Sequence, residues 1–174
     1  MPVLIEPMQD ACGAATTLFD LPVVTAKAQQ LPVRHASFET AWSLGVLCTT
    51  DQKSEMVAEL ARVLVPGGRL AMLVLVREAA TLSVQPEGNS FPTWSEVQGL
   101  LEEAGLELVE HVDDRQLPPA PVSWQERTDE VSALIAHRHG ASAAWQQAEA
   151  NSVKVGALLR AEEVRVVLLH AVRT

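Results

Sequence analysis

The chain contains no tyrosine, and only 4% of its 174 residues are aromatic. The first absence excludes a short-chain dehydrogenase, whose catalytic acid is a tyrosine. Cysteine is almost as scarce. Cys12 and Cys48 are the only two; they fit no zinc or redox spacing, and they read as free thiols of a reducing cytoplasm. Cations are outnumbered, with 13 Lys and Arg against 22 Asp and Glu and a formal charge of −9. That balance argues against a nucleic-acid partner, because phosphate binding needs clustered positive charge. No apolar run approaches the length that spans a bilayer. The segment from Met1 to Pro7 has no basic stretch and reaches an acid at Glu6, so it does not read as a signal peptide. No residue set has metal-ligand spacing either. His137 and His139 are two apart, which on a helix points them to different faces.

What remains is ordinary globular composition, 48% apolar and 20% charged, enough for one domain over residues 1–174 with a single core. The expected location is cytoplasmic.

The apolar pattern alternates between two periods. Leu70 to Val76 is apolar at every position, as in a central strand covered on both faces. Before it, Val57, Leu60, Val63 and Leu64 recur at helical spacing, with Asp51 as the expected cap or first-turn acid and Pro66-Gly67-Gly68 as the expected stop. Val3 to Glu6 and residues 22–26 read as short strands around an Ala-rich helix over residues 9–19. Glu39 to Leu47 reads as a third strand. Further on, residues 95–104 form a helix stopped at Gly105, followed by a strand over residues 106–112. Two helices over residues 123–139 and 141–160 follow a polar, proline-rich loop, and residues 164–172 form a last strand. Strands alternating with helices predict an α/β sheet, mostly parallel. Residues 113–160 read as a helical lid or insertion within that one domain.

Three pieces carry a resemblance: Val3-Leu4-Ile5-Glu6-Pro7-Met8; Val23 to Pro32; and Phe38 to Leu47 with Ala61-Arg62-Val63-Leu64-Val65-Pro66-Gly67-Gly68. Together with Phe91-Pro92-Thr93 and the run from Leu100 to Leu106, they resemble the class I S-adenosylmethionine-dependent methyltransferases, entered at that family's second strand. The resemblance implies a Rossmann-like three-layer α/β sandwich and methyl transfer to a small molecule, with S-adenosylmethionine as cofactor. It places Glu6 on the ribose hydroxyls, a task suited to a carboxylate because it accepts from two neighbouring donors. Pro7 and Met8 would lie against the adenine, and Lys27, Ala28 and Leu44 would complete the cofactor contacts. Lys27 departs from the pattern. The family has an aspartate there to accept from the adenine amino group, and lysine offers only donors.

The family's first strand, its Gly-x-Gly-x-Gly loop and the next helix have no counterpart in this sequence. That strand lies at the centre of the sheet, between the strands ending at Glu6 and Leu47. Three arrangements would satisfy the two unpaired edges: a longer protein of which this chain is a piece, two chains completing one another as a homodimer, or direct pairing of the two strands. The missing glycines and Lys27 favour a competing expectation, a non-catalytic module that binds a partner or stabilises an oligomer.

Three places bear on other chemistry. Ala41-Trp42-Ser43-Leu44-Gly45 could be a variant nucleophile elbow, with Asp113 or Asp114 and His137, His139 or His170 completing a hydrolase triad. The apolar run continues through Val46 and Leu47, however, which puts Ser43 inside a strand. Trp94, Trp124 and Trp145 read as core or lid packing rather than pocket walls. As general bases, His111 and His35 stand nearest the expected loop ends, though methyl transfer often needs none.

Overall fold

The computed structural model describes residues 1–174. The chain runs β1 (Leu4–Glu6), α1 (Gln9–Phe19), β2 (Val23–Thr25), β3 (Phe38–Leu44), α2 (Lys53–Val63) and β4 (Leu64–Arg77). It continues through α3 (Trp94–Glu103), β5 (Leu106–Asp113), α4 (Val122–His139), α5 (Ala143–Arg160) and β6 (Val164–Arg173). The expected α/β architecture is present, but the large sheet is mixed rather than mostly parallel, two of its three pairings being antiparallel. β3, β4, β6 and β5 lie side by side in that order, with β3 parallel to β4 and β6 antiparallel to both its neighbours. β1 and β2 pair in parallel as a separate two-stranded sheet, with Leu4 opposite Val23 and Glu6 opposite Thr25.

The apolar run at Leu70 becomes the middle of β4 because strand alternation sends it to two buried faces. Leu70, Met72, Val74 and Val76 point to one face and are joined there by Val167, Leu169 and Ala171 of β6. Met56, Val57 and Leu60 of α2 and Val97 and Leu101 of α3 close over them. Burying a side chain of this size contributes roughly 1.5–3 kcal/mol. Truncating Met72 to alanine at the centre of this layer would cost about 2–5 kcal/mol.

The opposite face is only partly covered. Leu158 of α5 packs there with Cys48, Phe91 and Val164. Trp42 and Leu44, which alternate with the buried Ser43 along β3, stay 72% and 58% exposed. The α4 helix is exposed along its whole length, whereas α5 packs on β6.

Three local expectations are corrected. Asp51 does not cap α2; Gln52 holds that position, without a side-chain bond. The helix ends at Val63, before Pro66-Gly67-Gly68. Its last carbonyls are taken instead by the incoming chain, Ala36 N–H donating to Arg62 O at 2.9 Å and Ser37 N–H to Val63 O at 2.8 Å. These bonds satisfy acceptors that a helix end leaves open, so Leu64 can already be extended. The proline and glycines then lie within β4, where the ladder jumps from Phe38–Leu64 to Thr40–Arg69. Finally, β3 stops at Leu44, because Gly45 turns the chain with φ of 74° into a 3-10 turn at Leu47–Thr49.

Direct pairing of the first and third strands does not occur. β1 bonds only β2 and β3 bonds only β4, so each keeps a free edge. Ile5 of β1 nevertheless packs against the main core.

Candidate cofactor cleft at the strand ends

In open α/β sheets, ligands bind beyond the carboxyl ends of the parallel strands. Glu6 ends β1 and is half-buried. One of its carboxylate oxygens, Oε1, accepts the Met8 N–H at 2.8 Å, which holds the side chain over the turn into α1. Its Oε2 has no partner within the chain. Cys12 of α1 buttresses the same turn, with its Sγ 3.3 Å from Glu6 O and 3.3 Å from the Thr25 hydroxyl. Pro7 and Met8 are exposed beside it. Lys27 is exposed two residues beyond β2, while Ala28 is half-buried against the core.

The loop carrying Lys27 and Ala28 is fixed from below. Glu59 Oε2 accepts the Leu31 N–H at 2.7 Å, and Arg62 donates to Val33 O at 2.9 Å and Leu31 O at 3.0 Å. Gln29 Nε2 donates to the Thr50 hydroxyl at 2.6 Å, tying this loop to the turn after β3. That turn is where Leu44, Gly45 and Cys48 lie. No atom stands within 4 Å of the Cβ position of Gly45, so backbone is open to close approach there. Cys48 is a buried thiol, and burial pushes its pKa up. That describes an inert side chain.

Glu6, Pro7 and Met8 thus stand at the end of β1, Lys27 and Ala28 just beyond β2, and Leu44 at the end of β3, with the Gln29–Thr50 bond tying the second group to the third. The free carboxylate oxygen of Glu6 fits a vicinal diol. Lys27 supplies no acceptor for an amino group. The residues present therefore fit the ribose end of S-adenosylmethionine, and none of them cradles its methionyl end.

The hydrolase arrangement does not form. Ser43 lies mid-strand, and its hydroxyl is buried without a partner among apolar neighbours. His170 pairs with Ala71 in the next ladder row, on the opposite face, so it cannot reach Ser43. Asp113 is committed elsewhere, to Arg115 and Arg165. His35 precedes β3, at the amino end of the strand, and faces Arg173. His111 stacks at 4.7 Å on Trp94.

A second concavity was missed in the sequence. A pocket of about 580 Å³ opens between the start of α2, the end of β4, the loop over residues 78–93 and the start of α3. Its lining includes Lys53, Arg77 and Glu96 with Leu82, Asn89 and Phe91. Ser90 N–H donates to Cys48 O at 2.7 Å, so one wall is attached to the turn after β3. No sequence signal pointed there, because the lining residues come from four separate segments.

Residues 3–72 match the family model described as a methyltransferase domain. The chain is 33% identical over 119 residues to the O-methyltransferase resE of Aspergillus sclerotiorum, a match covering 64% of this chain and 45% of that protein. It is 34% identical over 119 residues to the 27-O-demethylrifamycin SV methyltransferase of Amycolatopsis mediterranei, covering 63% of this chain and 43% of that one. It therefore spans less than half the length of either relative. Among solved structures, the cyclase SpnF superposes with a TM-score of 0.68 at 23% identity, over 98% of this chain and 66% of that one. That likeness concerns the fold, and it takes in both the small sheet and the large one.

Proposed function

We propose that this chain, similar to methyltransferases over residues 3–72 and to two O-methyltransferases, belongs to the class I S-adenosylmethionine-dependent family and provides the ribose-binding and acceptor-facing parts of an enzyme that methylates a small molecule. The observation that carries this reading is Glu6, its Oε2 free, at the carboxyl end of a strand whose outer edge is unpaired. On this reading the unpaired edges of β1 and β3 receive a further strand, from a longer form of the chain or from a second copy, and activity belongs to that completed form.

S-adenosylmethionine, when bound, supplies an electrophilic methyl group. The chain's own residues have simpler tasks. Glu6 accepts hydrogen bonds from the ribose hydroxyls, already oriented by the Met8 N–H. Pro7 and Met8 present an apolar surface to the adenine, and the Lys27–Ala28 loop borders it. Leu44 and Gly45 line the approach from β3. Alignment of the acceptor with the methyl supplies much of the rate, since a fixed near-attack geometry replaces a bimolecular encounter. No histidine is required as a base.

The second reading is a non-catalytic methyltransferase-like module, favoured by the donor-only Lys27. Calorimetric titration with S-adenosylhomocysteine, on this chain and on its completed form, separates the two. Binding tighter than about 100 µM, or about −5.5 kcal/mol, that weakens about tenfold in Glu6→Gln supports the enzyme. No heat from either form sinks it.

A further inference from the structure

The pocket between α2, β4 and α3 differs from its surroundings in charge. The chain carries −9 overall, yet two cations, Lys53 and Arg77, face this cavity with a single carboxylate, Glu96. That carboxylate is already engaged. Glu96 Oε2 accepts from Thr93 N–H at 2.6 Å and from the Thr93 hydroxyl at 2.9 Å, in the capping box that starts α3. These bonds, with Lys53 and Arg77 nearby, hold its pKa below the usual glutamate range.

The cations keep donors in reserve. Lys53 spends one bond on Thr50 O at 2.6 Å, out of three available. Arg77 spends only Nη1, on Ala80 O at 2.9 Å and more weakly on Ala79 O at 3.4 Å. Its Nε and Nη2 remain, a pair suited to a planar anion. Leu82 and the buried Phe91 add apolar surface. The cavity is held in shape from outside: Asn151 of α5 both accepts from Glu87 N–H at 3.0 Å and donates to Glu87 O at 3.1 Å. Its wall at Ser90 is bonded to the turn after β3.

We infer that this pocket receives the acceptor substrate and that the acceptor is a small organic carboxylate, its anion held by Arg77 and Lys53 and its apolar body against Leu82 and Phe91. This assignment rests on the methyl-transfer reading for the word acceptor, while the carboxylate site itself stands on the pocket alone. A net charge of one positive unit suits a monoanion.

The test is a nuclear magnetic resonance titration of the full 174-residue chain with benzoate, and with benzyl alcohol as the uncharged match. Benzoate is expected to saturate with a dissociation constant on the order of millimolar, shifting the Ser90 and Phe91 amides and the Arg77 Nε–H. Benzyl alcohol should bind about tenfold more weakly. Arg77→Gln and Lys53→Gln should each weaken benzoate about tenfold and leave benzyl alcohol unchanged. Should Arg77→Gln fail to fold, Lys53→Gln decides the matter, since its side chain makes one local bond. Equal binding of the two probes, shifts confined to other regions, or wild-type affinity in Lys53→Gln would overturn the proposal. The titration contains no cofactor, so failure here leaves the S-adenosylhomocysteine result untouched, and the reverse also holds.

Discussion

Glu59 and Arg62, one turn apart on α2, form a 2.5 Å ion pair that grips the loop between β2 and β3. Glu59 takes the Leu31 N–H, and Arg62 donates to the carbonyls of Leu31 and Val33. The loop that carries Lys27 and Ala28 is thereby anchored to the core helix.

Arg62→Ala should therefore lower stability by about 2 kcal/mol, since it leaves a carboxylate and two carbonyls without their partner. Urea denaturation at neutral pH measures it. The Arg62 hydrogen bond depresses the pKa of Glu59 in the folded state. A depressed carboxylate stabilises the fold above its unfolded value of about 4.3 and loses that contribution as pH falls through the folded one. Below about pH 4 the gap between wild type and variant should narrow. A gap independent of pH would refute the role of the ion pair.

Asp113 closes β5 onto β6. Arg115 bonds it at 2.7 Å and Arg165 at 2.9 Å, and Arg165 also reaches Glu78 at 2.5 Å. The Arg115 guanidinium, with help from Arg165, holds the Asp113 carboxyl well below the usual carboxylate range. Asp113→Asn should cost about 2 kcal/mol at neutral pH, because Arg165 is left largely buried with one partner. Its effect too should shrink in acid, as the wild-type carboxylate becomes protonated. Thermal melts across pH check both parts.

Gly45→Ala should destabilise by about 1 kcal/mol through backbone conformation alone. The residue sits at φ of 74° with nothing near its Cβ position. A melting temperature unchanged by the substitution would show that the turn after β3 relaxes freely. Under the methyl-transfer proposal, the same variant should also weaken S-adenosylhomocysteine binding.

The free edge of β3 should make this chain self-associate, because an unpaired strand beside the exposed Trp42 and Leu44 is a template for another strand. Leu44→Lys should shift the light-scattering mass toward monomer without lowering the melting temperature. A strictly monomeric wild type would contradict the expectation and would exclude mutual completion by two copies.

Much of the element order was legible. Leu70 to Val76 is apolar without a break because β4 is covered on one face by α2 and α3 and shielded in part on the other. The helix at Trp94–Glu103 was expected from Val97, Leu100 and Leu101, and Thr93 with Glu96 caps it. The boundaries that failed were those set by distant partners. The end of α2 depends on amides of Ala36 and Ser37, which no local pattern reveals.

The residues proposed for the cofactor side were suggested by resemblance, since each sits beside a recognisable strand. The pocket between α2, β4 and α3 was not, because Lys53 and Arg77 belong to different elements and show no joint spacing.

The sequence by itself determined the alternation of strands and helices, since periodicity and caps are properties of neighbouring residues. Tertiary structure alone decided that β6 enters between β4 and β5, that β1 and β3 keep their edges open, and that two cations share one cavity. Each of those outcomes depends on which surfaces remain after the core has packed, a competition among distant segments that no short window of sequence contains.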